Sequence, residues 1–283
     1  GAKAEQLLML EHHTWPGYTI AQTRKELGHM IDGALAKGFK AVPETRERRA
    51  IQTPSAVFYA EPLEWLIEDL IPKRGVGLIS GASGSYKSFL SGYMGLCVAN
   101  GASFAGRYTA QAGRTLFAAH EGRQGMAAWL LAAMEHYGFE ESQFGLWEGI
   151  CLSSTQDLEY LAGETEGFNL TIIDTLSKAT PGVDENSNSE MAEALERAYR
   201  LADCWNGFVL IVSHTGKDES KGTRGASALK SNVDTVLRTK RSGKAAFVSI
   251  EVDKQKDGPD DLQIDFEMRS HELHNRQTGE ITT

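Results

Sequence analysis

The stretch that decides the fold is Gly81-Ala-Ser-Gly-Ser-Tyr-Lys-Ser88, which lies between two segments of different periodicity. Residues 75–80 (GVGLIS) show the short, continuous apolar run of a buried strand. Residues 88–100 show the pattern of a helix, and Gly101 follows as its C-cap. A glycine-rich turn between a strand and a helix presents backbone N–H groups and the positive end of the helix to a phosphate. The sequence therefore predicts a phosphate-binding loop of the form G-x₅-K-S.

The positions of this loop have distinct expected tasks. Lys87 is expected to place its ammonium on the β- and γ-phosphates, and the Ser88 hydroxyl is expected to ligate Mg²⁺. Tyr86 stands where the common pattern has glycine, and a left-handed backbone there would cost about 1 kcal/mol. The alternative is an ordinary glycine-rich turn without a ligand, so the rest of the chain has to decide. The expected nucleotide-binding residues are Gly81, Ser83, Gly84, Ser85, Tyr86, Lys87, Ser88 and Phe89.

Three further apolar segments end in polar residues. They are residues 115–119 before His120 and Glu121, residues 169–173 before Asp174, and residues 208–212 before Ser213 and His214. Because parallel strands bring their carboxyl ends to one edge of a sheet, where ligands bind, these side chains are expected at one site. Asp174 is the candidate to organise Mg²⁺, Glu121 to polarise the attacking water, and His214 to contact a γ-phosphate. Taken singly, the alternatives are a strand cap, a solvated carboxylate and a structural histidine.

The order of apolar segments indicates an α/β fold. Continuously apolar strands separated by helical patterns predict a mostly parallel sheet that is covered by helices on both faces. Residues 246–252 and 262–268 alternate strictly around a Lys-Asp-Gly-Pro turn, which predicts an antiparallel hairpin at the edge of the sheet. We expect a small helical N-terminal segment and linker over residues 1–50, a core domain over 55–272 and a C-terminal tail over 273–283.

Composition and charge restrict the classes of protein. The chain has 283 residues, of which 41% are hydrophobic, and no run approaches the roughly 20 apolar residues of a membrane span. Its three widely spaced cysteines fit a reducing cytoplasm better than a disulfide framework or a zinc ribbon. The net charge of −9 argues against broad wrapping of nucleic acid. Residues 205–256, however, hold 10 basic and 5 acidic residues, and this basic segment is suited to bind a polyanion locally.

These motifs, in this order, resemble those of the RecA-like ATPases, a family that includes DnaB-type hexameric helicases, RepA-type helicases of plasmids and phages, and RecA. The resemblance runs from about residue 62 to residue 269. It matches the RepA-like phosphate loop at 80–90, the catalytic-glutamate segment at 117–122, the Walker B strand at 172–177 and the γ-phosphate sensor at 211–217. The resemblance implies a RecA-like P-loop NTPase core that binds ATP and Mg²⁺, with Glu121, Lys87 and His214 among its catalytic residues.

A polar stretch after His214 resembles the loop with which RecA-like motors grip single-stranded DNA at the central axis of the assembly. Lys217, Lys221 and Lys230 are its candidates to neutralise DNA phosphates. Arg224 resembles an arginine of RepA-type proteins, and the resemblance implies that it reaches the nucleotide of a neighbouring protomer. The alternative is a surface loop whose lysines are only solvated.

Lys254-Gln-Lys256 resembles the K-x-R/K element of DnaB-type proteins and RecA. In that family the two cations cross a subunit interface to the γ-phosphate bound next door, where a cation stabilises the charge that develops during phosphoryl transfer. The second cation here is lysine, which lacks the bidentate geometry of arginine. The alternative is a charged hairpin turn.

The resemblance implies an ATP-dependent DNA motor, a ring-forming replicative helicase of plasmid or phage type that hydrolyses ATP between protomers. Its partners would be single-stranded DNA, further copies of the chain in a hexameric ring, and other replication proteins, with no membrane. One alternative is a recombinase that forms filaments, and particle shape separates it from a closed ring. Another is a nucleotide-dependent loader or switch, whose hydrolysis would not respond to neutralising Lys217 and Lys221.

Overall fold

The computed structural model describes residues 63–164, 167–184, 187–214, 229–243, 246–274 and 281–282, with positions 19, 22, 25, 29, 53–55 and 59 before them. The chain divides into two compact units, Gly1–Glu61 and Pro62–Thr283. In the first unit, the described positions 22, 25 and 29 are helical. Most of the expected helical segment over residues 1–50 lies outside the described residues.

The second unit is built on an eight-stranded sheet in the order β10-β9-β8-β3-β7-β6-β4-β5. Strands β3 to β8 run parallel, whereas β9 and β10 are antiparallel to their neighbours. The predicted parallel sheet with an antiparallel edge hairpin is therefore confirmed. The strands are β1 Trp65–Ile67, β2 Ile71–Pro72, β3 Gly75–Gly81, β4 Thr115–Ala119, β5 Phe144–Trp147, β6 Leu170–Asp174, β7 Phe208–His214, β8 Thr235–Arg241, β9 Phe247–Gln255, β10 Gln263–Glu267, β11 Leu273–His274 and β12 Ile281–Thr282.

Helices cover both faces of the sheet, as the continuously apolar strands predict. Neighbouring residues of one strand enter different cores, since Ile172 packs with the helix Lys87–Asn100 and Ile173 packs with the helix Asn188–Trp205. Each fully buried side chain of this size contributes about 1.5–3 kcal/mol. The helices are α1 Lys87–Asn100, α2 Arg123–Tyr137, α3 Thr155–Glu164, α4 Leu176–Ala179 and α5 Asn188–Trp205. Among the described residues, no helix combines the length and the apolar character that crossing a bilayer requires.

Strand β8 is the main feature of the sheet that the sequence patterns leave out. Its sequence TVLRTKR holds three cations, so it does not read as a buried strand. In the structure it lies directly beside β3, and its cations pair with carboxylates on β9: Arg238 with Asp253 at 2.9 Å and Lys240 with Glu251 at 2.6 Å. These pairs allow a charged strand to occupy the sheet next to the phosphate loop.

Two cysteine thiols differ in burial, which predicts an order of reactivity. Cys97 is fully buried in α1, and burial raises the pKa of its thiol to about 12, whereas Cys204 is exposed on α5. Because the thiolate is the reactive species and needs access, we expect a maleimide to label Cys204 at least about 100-fold faster than Cys97 in the native protein. Peptide mass spectrometry of timed samples measures both rates. In denaturant the two rates should converge, and equal rates in the native protein would contradict the packing of α1.

Candidate functional site

Residues 82–86 turn the chain from β3 into α1, as the glycine-rich stretch predicts. Gly84 has a φ of +75°, and no atom lies within 4 Å of where its Cβ would be, so the conformation rather than the space favours glycine. Gly81 is needed for the opposite reason, because a Cβ there would meet the backbone oxygen of Thr239 at 2.6 Å. The loop thus lies against β8 at its start and is open at its tip.

Tyr86 adopts the left-handed conformation that was expected to be costly, with φ 61° and ψ 23°. The rings of Tyr86 and Phe89 pack edge to face, with their centroids 5.8 Å apart. The guanidinium carbon of Arg241 lies 5.1 Å from the centroid of the Tyr86 ring. A cation over an aromatic face contributes about 0.5–1 kcal/mol, which is comparable to the cost of the backbone conformation. Arg241 and Phe89 therefore compensate for the missing glycine.

The ammonium of Lys87 lies inside the loop. Its side chain is 4% exposed, and Nζ donates hydrogen bonds to the carbonyl oxygens of Gly81 at 3.0 Å and Ala82 at 2.8 Å. Burial lowers the pKa of Lys87, while the charge of Asp174 opposes that shift. An ammonium has three N–H donors, so these two carbonyls leave capacity for a phosphate oxygen.

Two buried hydroxyls support the loop from below. Ser85 donates to the carbonyl oxygen of Ala82 at 2.8 Å, and its Oγ lies 2.7 Å from Oγ1 of Thr239. Thr239 in turn donates to the carbonyl oxygen of Ser80 at 3.2 Å. No pattern in the sequence indicated Thr239, because its role depends on β8 pairing with β3.

Asp174 ends β6 at the same edge of the sheet. Its Oδ1 is buried and has no hydrogen-bond partner among the described residues, while a hydrogen bond with Ser88 acts to lower its pKa. Burial outweighs that effect, so the pKa of Asp174 is raised. A carboxylate oxygen without a partner, next to a serine hydroxyl, is the hard oxygen donor set that Mg²⁺ prefers. Ser88 and Asp174 therefore fit a magnesium ion.

Glu121 and His214 lie at the ends of β4 and β7 at this edge. Glu121 is exposed and pairs with Lys178 of α4 at 2.6 Å, and this contact lowers the pKa of its carboxyl. His214 lies opposite Gly81 in the register of β7 with β3. His120, by contrast, lies between the carbonyl oxygens of Asp174, at the end of β6, and of Ile150, each 3.1 Å from a ring nitrogen. Patterns in the sequence did not indicate Lys178.

A family model for the AAA domain matches residues 43–220. The chain belongs to the AAA domain family. Among solved structures, it is similar to an ATPase domain, with a TM-score of 0.50 and 12% identity over 89% of this chain and 97% of that one. It is also similar to the RadB recombinase, with a TM-score of 0.49 and 13% identity over 76% of this chain and 93% of that one. No curated protein matches the chain.

At 12% identity, the likeness to the solved ATPase domain concerns the fold alone. The family and the observed fold agree with the expected fold class, a mostly parallel sheet with flanking helices and a C-terminal antiparallel hairpin.

Three further candidate residues that the structure describes, Lys230, Lys254 and Lys256, lie at the opposite ends of the strands, where β3 and β8 begin. Lys256 comes directly after β9 in the sequence and lies next to the start of β8. Its ammonium lies 3.4 Å from Asp234, and 65% of its side chain is exposed. The ammonium of Lys254 is turned onto carbonyls of its own chain. Lys230 is partly exposed and pairs with Asp253 at 2.9 Å. Since β3 is seven residues long, this edge is about 20 Å from the phosphate loop.

Asp234 holds this far edge together. Its Oδ2 accepts hydrogen bonds from the backbone N–H of Val76 at 3.1 Å and the hydroxyl of Tyr199 at 2.9 Å. Oδ1 faces Lys256. A Cβ at Gly75 would collide with the carboxylate, so glycine allows this close approach. Asp234 therefore connects the start of β3 to α5 and to the end of β9.

Three candidates of the AAA domain, Lys217, Lys221 and Arg224, lie outside the described residues.

A groove of about 750 Å³ opens beside the phosphate loop, between α1, α2 and the end of β10. Phe89 lies at one of its walls, two positions beyond Lys87, and contacts Trp129 edge to face at 4.9 Å. Flat aromatic walls of this kind suit a planar ring. The lining includes Phe89, Tyr93, Trp129, Tyr137, Phe266 and Met268.

Proposed function

We propose that this AAA domain is an ATP-dependent motor on single-stranded DNA, a ring-forming replicative helicase of plasmid or phage type. The observation that supports this is the division of candidate groups between two edges of one sheet. The phosphate loop, Asp174 and Glu121 lie at one edge, whereas exposed Lys256 lies about 20 Å away at the other. A cation there is too far from the nucleotide of its own chain, but it can reach that of a neighbour in a head-to-tail assembly, which forms a ring when the rotation between protomers closes.

Nucleotide binding follows from the geometry of the loop. The N–H groups of residues 84–87 and the ammonium of Lys87 would hold the β- and γ-phosphates. Ser88 and Asp174 would organise Mg²⁺, which neutralises charge on the phosphates when it is bound. The groove next to Phe89 begins beside the loop and would take the base of ATP.

Hydrolysis would use Glu121 to orient and polarise the attacking water. The ion pair with Lys178 lowers the pKa of the Glu121 carboxyl, so the group is ionised and can accept a hydrogen bond from the attacking water. Lys256 of the neighbouring protomer would stabilise the charge that develops on the γ-phosphate. His214 would respond to the γ-phosphate, since it lies beside Gly81 at the end of β7.

Coupling to DNA would proceed through the chain that leads from His214 to β8. This connection belongs to the basic segment 205–256, and it holds Lys217, Lys221, Lys230 and Arg224. Neutralising DNA phosphates with such lysines gives affinity without sequence preference, as translocation requires. The choice of a ring helicase over a filament-forming recombinase rests on the RepA-like phosphate loop and sensor segments.

Two inactive variants test whether the site is shared between protomers. Lys87→Ala removes the loop ammonium and Lys256→Ala removes the far cation, so each alone should abolish DNA-stimulated ATP hydrolysis. In an equal mixture, about a quarter of random interfaces would join an intact loop to an intact Lys256, and about a quarter of the wild-type rate should return. A mixture that remains inactive would contradict the shared site.

Particle shape and unwinding test the finer proposal. Electron microscopy with an ATP analogue and DNA should show closed six-membered rings, and a forked duplex should be unwound only with hydrolysable ATP. Filaments that lengthen with the DNA would instead identify a recombinase. ATPase activity that DNA does not change would identify a loader or switch.

A further inference from the structure

The ammonium of Lys254 is fully engaged within its own chain. It donates hydrogen bonds to the carbonyl oxygens of Lys230 at 3.0 Å, Ser231 at 3.1 Å and Val233 at 2.5 Å. An ammonium has three N–H groups, and each of them has an acceptor here. Such a tripod of carbonyls matches the geometry of lysine and not the planar fork of arginine.

A β-bulge directs Lys254 and its neighbour to this place. Val236 pairs with Lys254 and Leu237 pairs with Val252, so Asp253 is an extra residue in β9. A bulge re-aims side chains that would otherwise alternate across the sheet. Both Asp253 and Lys254 consequently contact the segment 229–234 that leads into β8.

The side chain of Asp253 also holds the segment 229–234, through the side chain of Lys230. Its carboxylate pairs with Lys230 at 2.9 Å and with Arg238 at 2.9 Å. Burial would raise the pKa of Asp253, but these two cations outweigh it and the pKa is lowered. Lys230 is thus held twice, at its ammonium by Asp253 and at its carbonyl by Lys254.

Lys256 has none of these constraints. Its side chain is 65% exposed, and within the described part of the chain its ammonium makes one long contact, at 3.4 Å, with Asp234. Moving Lys254 across an interface would leave three carbonyls without their donor, whereas moving Lys256 gives up one weak contact. The two lysines of the Lys-Gln-Lys element therefore differ in what they are free to do.

We propose that Lys254 is a positioning residue that fixes the segment 229–234, and with it the DNA-binding candidate Lys230, while Lys256 is the lysine of this pair that supplies a cation to the neighbouring protomer. This inference rests on the proposed function for its DNA readout. The role of Lys254 in holding the carbonyl oxygens of Lys230, Ser231 and Val233, called the carbonyl clamp, concerns a single chain and does not depend on that function.

Lys254→Arg separates the two roles, because arginine keeps the positive charge but does not match the carbonyl tripod. The matched control is Lys240→Arg, an exposed lysine of β8 that pairs with Glu251. For the full chain we would measure ATP hydrolysis against oligo(dT) concentration and hydrogen exchange of the amides of residues 229–234. We expect Lys254→Arg to raise the half-stimulating oligo(dT) concentration about tenfold and to speed exchange of these amides about tenfold, with the control at wild-type values.

A cation that acts across the interface would give the opposite result. Lys254→Arg would then keep full DNA stimulation, since arginine serves well in that role, and exchange of the amides would stay at the wild-type rate. That outcome would overturn the proposal. If wild-type hydrolysis did not respond to oligo(dT), the motor function would fail, yet the exchange of residues 229–234 would still decide for or against the clamp. Melting curves establish that each variant is folded.

Discussion

Lys87→Ala is expected to reduce ATP hydrolysis at least about a thousandfold while the protein remains folded. The ammonium lies inside the phosphate loop, where water is excluded and a single charge contributes most to stabilising the transition state. Its removal should change the melting temperature by less than about 3 °C, because the buried charge has a desolvation cost that its two hydrogen bonds offset in part. Steady-state hydrolysis with Mg²⁺ and DNA, together with thermal melts, measures both quantities.

Lys73→Ala is the matched control for this variant. Lys73 pairs with Glu64 at 2.9 Å, outside the phosphate loop, so its removal should leave hydrolysis unchanged. A Lys87→Ala protein that kept more than about a tenth of the wild-type rate would contradict the assignment of the loop.

Asp174→Asn is expected to abolish Mg²⁺-dependent hydrolysis and, without nucleotide, to make the protein more stable. Burial raises the pKa of Asp174 above the 3.8 of an unfolded chain, so the folded state binds the extra proton more readily. Stability therefore falls as pH rises through the interval between these two pKa values, and at neutral pH the full cost is present. Asparagine removes the charge, and the melting temperature at pH 7 should rise by about 2–4 °C.

The pH dependence of stability is the most direct test of the prediction for Asp174→Asn. The stability difference between Asp174→Asn and the wild type should shrink as the pH is lowered through the raised pKa of Asp174, because the wild-type carboxyl then becomes protonated. Mg²⁺ and ATP should stabilise the wild type and not the variant. Asp157→Asn, at an exposed position of α3, should show neither effect. A lower melting temperature for Asp174→Asn than for the wild type at pH 7 would contradict the prediction. It would mean that the Asp174 carboxylate has favourable partners in the folded chain.

Much of the core fold was predictable because local patterns and tertiary packing agree there. The strand-loop-helix around Lys87, the buried strands β4, β6 and β7, and the hairpin of β9 and β10 all show the periodicity of their burial. Polar residues at the ends of β4, β6 and β7 could be assigned to one edge since parallel strands share their direction. Candidate residues at that edge were therefore found without knowledge of their distances.

Features that depend on long-range pairing could not be predicted in the same way. Strand β8 has three cations, and its place beside β3 depends on long-range backbone pairing with β3 and on ion pairs with β9. Thr239 acquires its role under the loop through that pairing. Lys178 pairs with Glu121 because α4 comes directly after β6, and β6 lies beside β4 in the sheet. The direction of Lys254 depends on a bulge, which a strict alternation of residues does not reveal.

The hydrogen bond between Val76 and Asp234 has a mechanical consequence. Strand β3 begins one residue before this bond and leads into the phosphate loop, so it joins the loop to Asp234, whose other carboxylate oxygen faces Lys256. Because close-packed interiors transmit strain, we expect a displacement of the phosphate loop to reach Asp234 and Lys256 through this strand. In the proposed head-to-tail assembly, a triphosphate bound to one protomer would then alter the position of the cation that this protomer presents to its neighbour.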